Sequence, residues 1–132
     1  MHKRLAAIAL CLPSLAQAAP VVYVCSVDSG RTGGVFQSQI VIAHDAADRI
    51  VSVNDALIQG VTGGPLLGDV ATDNATRIVF KWTILNVPSG TGQLASLSYR
   101  ATIFKDDGAL QISMRPLNYD NSFNGSGSCK TE

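Results

Sequence analysis

The chain has 132 residues, with ten Lys plus Arg balanced by ten Asp plus Glu, and 46% of it is hydrophobic. That balance carries no basic excess of the kind that nucleic-acid binders usually show. The length suits one domain with one core, and no apolar run approaches the roughly 20 residues that cross a bilayer as a helix.

The first segment reads as an export signal. His2, Lys3 and Arg4 form a basic start, Leu5 to Leu12 a short apolar core, and Ala16-Gln17-Ala18 a small-residue exit. These are the three parts of a cleavable secretory signal. Residues 1–18 are therefore expected to be removed, leaving 19–132 as a single β domain. Cys11 follows the large Leu10 and lies inside the apolar core, so it is read as a discarded signal residue and not as a lipid-bearing cysteine. Removal takes Lys3 and Arg4, so eight basic residues face ten acidic ones and the domain turns slightly acidic. The expected location is the periplasm or the exterior of a bacterial cell.

Two cysteines then remain, Cys25 and Cys129. An even count in an exported chain implies a disulfide. A redox pair favours C-x-x-C, and a zinc site needs more Cys or His; neither pattern is present.

In chain order, Val21 to Val27 is a β-branched strand and Asp28 to Gly34 a turn. Val35 to Ala43 continues as a strand with Phe36, Ser38, Ile40 and Ile42 on one side. His44 to Asp48 turns the chain, placing His44 in an exposed position, and Ile50 to Val53 resumes a strand. Asp55 to Thr76 is interrupted by Gly60, Gly63, Gly64, Pro65 and Gly68, with short strands suggested at Leu57-Ile58 and Leu66-Leu67. The alternation is clearest after that. Ile78, Phe80, Trp82 and Ile84 share one face, and so do Leu97, Tyr99, Ala101 and Ile103 and then Leu110, Ile112 and Met114. Period-two alternation marks strands with one buried face. Pro88 to Gly92 and Lys105 to Gly108 supply the turns, and Pro116 ends the last strand. The polar tail Asn118 to Ser128 is expected to be a loop leading to Cys129. No helix pattern exceeds a turn. The predicted class is all-β: an antiparallel sandwich or a small closed or partly closed barrel, with a three-strand meander over about 77–116 and one disulfide.

Chemistry-bearing residues are sparse. His44 is the only histidine outside the signal. Ser38, His44 and Asp48 can be drawn as a triad, yet no Gly-x-Ser-x-Gly surrounds any serine. The carboxylates are nearly all Asp and are expected in turns, where Asp bonds nearby backbone N–H groups. Asp120-Asn-Ser-Phe-Asn-Gly125 matches the first half of a calcium loop, with Asp120, Ser122 and Asn124 as oxygen donors, but Thr131 stands where the bidentate Glu belongs. Asn74-Ala-Thr76 and Asn124-Gly-Ser126 match the glycosylation sequon, which a bacterial protein is not expected to use. No cofactor motif is found and none is expected. Arg77, Lys81, Arg100 and Arg115 fall on the outward side of the meander and form a candidate basic patch for an anionic partner. Trp82 and Tyr99 point inward from neighbouring strands and are candidates to line a ligand cavity.

Tyr23-Val-Cys25 resembles the early Tyr-x-Cys of small periplasmic lysozyme inhibitors. That resemblance implies a β-barrel. Those proteins carry a Ser-Gly-x-x-Tyr loop; Ser29-Gly30 matches its start, and Gly33 stands in the place of the Tyr.

The function expected from these residues is a non-enzymatic binding module that contacts a protein or an anionic envelope component. The alternative is a small-ligand carrier with a cavity beside Trp82 and Tyr99. A hydrolase comes third. A filled core with an exposed apolar patch favours the protein binder.

Overall fold

In Arg77–Pro88 the residues Ile78, Phe80, Trp82 and Ile84 are buried, while Arg77, Lys81 and Thr83 between them are exposed. That strand pairs with Leu94–Phe104, which pairs in turn with Ala109–Pro116. The computed structural model describes residues 9–12, 19–28 and 35–132. Most of the expected signal segment (residues 1–8 and 13–18) and the stretch 29–34 lie outside the described residues, including the Ser29–Gly33 segment. Of the expected signal core, Leu10 and Leu12 are exposed and Cys11 carries a free thiol.

The strands are β1 (Val21–Asp28), β2 (Gln39–Asp45), β3 (Ile50–Asn54), β4 (Leu66–Asp73), β5 (Arg77–Pro88), β6 (Leu94–Phe104), β7 (Ala109–Pro116) and β8 (Phe123–Thr131), with one helix, α1 (Ala56–Thr62), between β3 and β4. All neighbouring pairs are antiparallel, and β1 pairs with β8, so eight strands in chain order close a barrel. Closure removes the edge strands that invite aggregation. The expected meander is therefore part of a complete one, and barrel is the correct branch of the sandwich-or-barrel expectation.

Three local expectations are corrected. The tail is not a loop: Phe123–Thr131 is β8, the strand that shuts the barrel. Its inward positions are Phe123, Gly125, Gly127 and Cys129, so glycine hides the alternation. These glycines are sterically required. A Cβ at Gly125 would lie 3.0 Å from the Phe36 ring, and one at Gly127 would overlap the Ser26 carbonyl oxygen. Leu57-Ile58 is not a strand but the first half of α1. Asp55 caps that helix by accepting the Ile58 N–H at 2.8 Å, and Gly63 ends it with φ 76° while donating to Gln59 O at 3.0 Å, a side-chain N-cap and a left-handed glycine C-cap. His44 is not at an exposed turn. It lies within β2, 9% exposed, with its ring edge-on to Phe80 at 5.6 Å.

Side chains fill the barrel interior, as the narrow bore of eight strands allows. At one end Tyr23 and His44 meet Phe80 edge-on. At the other, Phe36 lies against Tyr99, and Ile58 of α1 is fully buried. The connections β3–β4, β5–β6 and β7–β8 leave the barrel at this second end, beside α1. Cys25 and Cys129 are bonded across the β1–β8 seam. Disulfides of this kind belong to an oxidising compartment.

Candidate functional site

The interior residues are mutually engaged. The Trp82 and Tyr99 rings stack at 5.3 Å, 5° from parallel, and each is 3% exposed. The structure thus brings the two candidate ligand-lining residues together, face to face. Trp82 does not line the surface hollows of about 460, 390, 500 and 340 Å³, and Tyr99 is among the residues that line the one of 390 Å³. The Trp82 indole N–H has no hydrogen-bond partner among the described residues. Burial pushes the Tyr99 hydroxyl up to about 12, with the nearby Asp55 carboxylate adding to the shift. Asp55 itself is raised by burial, against the lowering effect of the Ile58 and Leu57 N–H groups. Tyr23 is also raised, mainly by burial, with Lys105 opposing.

The triad drawing does not assemble. Ser38 is exposed before β2, His44 faces the interior near the strand's other end, and Asp48 lies in the following turn, where its N–H donates to Asp45 Oδ1. Six strand residues span about 20 Å, far beyond proton-transfer reach. The carboxylates are not confined to turns as expected, since Asp69 and Asp73 lie within β4 and Asp73 pairs with Lys105 at 2.6 Å. The calcium half-motif is also dismantled. Asn124 is a β8 strand residue opposite Ser113, and Gly125 serves to admit Phe36 instead of turning a loop around an ion. Among the described residues no three His, Cys, Asp or Glu side chains converge.

The outer wall of β5–β8 is where the predicted basic residues gather. Register places Lys81, Arg100, Ser113 and Asn124 in one row across four strands. Thr83, Ser98 and Arg115 form the next row toward the α1 end. Arg77 is on the same wall but four residues along β5 from Lys81, about 13 Å away. Three of the four predicted cations therefore share one region, and the fourth is apart. Two adjoining hollows of about 460 and 390 Å³ open over this wall, sharing Arg100, Ser113 and Asn124.

Directly beyond Arg115 is an apolar rim that the sequence reading did not single out. Leu85, on the outward side of β5, lies at a register slip between Ile84 and Val87, where Asn86 takes φ 57° and its N–H donates to Ser96 Oγ at 3.4 Å. The Leu117 N–H donates to the Ser96 carbonyl at 2.8 Å, which sets Leu117 on the same spot. Leu94, Leu117 and Tyr119 line a hollow of about 340 Å³. Leu94 is 63% exposed, Leu85 61% and Tyr119 54%. The signal available in the sequence was parity: Leu85 falls on the outward side of β5, where the other long residues are Arg77 and Lys81.

In comparisons with known proteins the chain matches no family model, no curated protein and no solved structure. No helix among the described residues is long and apolar enough to cross a membrane.

Proposed function

We propose that the chain is exported from a bacterial cell through residues 1–18 and works in the periplasm or outside the cell as a non-enzymatic protein-binding module. The observation that carries this reading is the rim of Leu85, Leu94, Leu117 and Tyr119 exposed on a barrel whose interior is already packed. Contiguous exposed apolar residues mark contact surfaces, and aromatic and Arg side chains are favoured at the centres of such contacts. Arg115 borders the rim, so the matching partner surface is apolar and edged by carboxylates. The carrier reading is less favoured, because Trp82 and Tyr99 spend their ring faces on each other. The hydrolase reading finds no support in a buried His44 with no carboxylate partner among the described residues.

Photo-cross-linkers at Leu117 and Tyr119 test the proposal, with one at Asp48, at the opposite end of the barrel, as control. The expected result is a discrete protein adduct from the two rim positions in envelope extract, lost on Arg115→Glu and absent from Asp48. Equal adducts from all three positions overturn it. An apolar small molecule recovered at one per chain from the purified protein would favour the carrier instead.

A further inference from the structure

Beyond the rim, the wall of β5–β8 has chemistry of its own. Lys81 and Arg100 are direct cross-strand neighbours, and like charges so placed repel. Arg115 is diagonal to Arg100 across β6–β7, a separation of about 7–8 Å. Among the described residues the one ion pair is Lys105–Asp73, and none of Lys81, Arg100 and Arg115 has a side-chain partner. Asp69 lies opposite Lys81 on the β4 side but does not pair with it. The two hollows centred on Arg100 are lined by hydroxyls and carboxamides, among them Thr102, Gln111, Ser113, Asn124 and Ser126, and by no carboxylate.

We infer that this wall is a binding site for a phosphate-bearing polyol or sugar chain. Two opposed cations that form no ion pair among the described residues suit an oxyanion, and the guanidinium fork of Arg100 suits bidentate phosphate contact. One phosphate between Lys81 and Arg100 relieves their repulsion, and the next along the chain reaches Arg115. The surrounding hydroxyls and amides donate to and accept from chain hydroxyls, a match that an acidic peptide with apolar side chains does not offer. The wall shares only Arg115 with the aliphatic rim, and Lys81, Arg100 and Asn124, on which the test rests, lie outside that rim, so the inference stands or falls without the protein-binding reading.

Calorimetric titration of the mature protein at low salt tests this with four probes: a poly(glycerol phosphate) oligomer, inorganic phosphate, neutral dextran and a poly-glutamate peptide. The oligomer is expected to bind at least tenfold more tightly than the other three, and more weakly as salt rises. Lys81→Gln with Arg100→Gln should weaken it at least tenfold. Asn124→Asp, which sets a carboxylate in the Arg100 row, should do the same, whereas Leu94→Ser should leave it unchanged. Circular dichroism identical to the parent's confirms that each variant is folded, as expected for exposed positions. Unchanged oligomer affinity in both groove variants overturns the inference. So does dextran binding as tight as the oligomer's, or tighter binding of poly-glutamate, which would assign the wall to an acidic protein. Equal molar affinity for inorganic phosphate would reduce the site to a simple ion site and overturn the chain-binding claim.

Discussion

Cys25 and Cys129 stand directly opposite each other across the β1–β8 pair, Cα atoms 4.0 Å apart, 104 residues apart in sequence. The bond therefore ties the first strand to the last at the one seam that closes the barrel. Every other strand pair joins chain neighbours; this pair alone brings together the two ends of the domain. A cross-link around a loop of about 100 residues removes unfolded-chain entropy worth up to about 4.7 kcal/mol, and loss of a native disulfide from a small exported domain typically costs about 2–5 kcal/mol. Replacing both cysteines with Ala should lower urea stability within that range. A change below about 1 kcal/mol would mean that β8 is held by its ladder alone.

The β8 glycines give a contrast within one chain. Gly127→Ala drives a Cβ into the Ser26 backbone oxygen, which cannot rotate away, so the β1–β8 ladder must separate locally. Gly60 lies inside α1 with nothing within 4 Å of a new Cβ. Gly60→Ala should stabilise by about 0.5–1 kcal/mol through helix propensity and the entropy of the unfolded chain. Gly127→Ala should destabilise by at least about 2 kcal/mol, in the range of backbone-strain and overpacking effects. Thermal melts of the two variants should therefore move in opposite directions.

These glycines also explain what the sequence concealed. Alternation from Ile78 to Met114 was legible because apolar residues, large at all but Ala101, occupy the inward positions. In Phe123–Thr131 the same alternation runs through Gly125 and Gly127, which carry no side chain to reveal it. Leu57 and Ile58 are a lone apolar pair, and only the Asp55 cap and Gly63 stop disclose a helix too short for a periodic signal. His44 looked exposed because it precedes a turn, whereas its parity within β2 matches Ile40 and Ile42 and takes it inside. The basic wall was legible from parity alone. The apolar rim was legible only in part: parity puts Leu85 outside, but the approach of Leu117 to Ser96 is a backbone fold that alternation does not show.

Tyr99 supplies a pH test of the packed α1 end. Its hydroxyl is raised to about 12, first by burial and second by Asp55, against about 10 in an unfolded chain. Below pH 10 both states keep the proton and stability is unaffected. Between pH 10 and 12 the unfolded chain releases it first, so stability falls as pH rises, by on the order of 2–3 kcal/mol from this group. Tyrosinate absorbance should show one late-titrating group that Tyr99→Phe removes. Asp55→Asn keeps a capping oxygen for Ile58 and removes the charge, so it should lower the Tyr99 titration while leaving it above 10. A Tyr99 that titrates near 10 in the folded protein would mean that water reaches the ring.

Trp82 tests whether the interior is packed or a vacant ligand site. It is the only tryptophan, it is buried against Tyr99, and its indole N–H has no partner among the described residues. A buried donor without an acceptor opposes folding, so removing it offsets part of what a smaller ring loses. Trp82→Phe should then cost under about 1.5 kcal/mol, as volume-tolerant core exchanges do, while Trp82→Ala should cost about 3–5 kcal/mol through the cavity it leaves. Intrinsic fluorescence of the parent should be blue-shifted and shift to the red on unfolding. If the site were a vacant cavity, the two substitutions would cost nearly the same, because the neighbours of Trp82 would already lack contacts on one side. Urea titration of the pair separates these outcomes, and a wide gap between Phe and Ala assigns the Trp82–Tyr99 stack to the core.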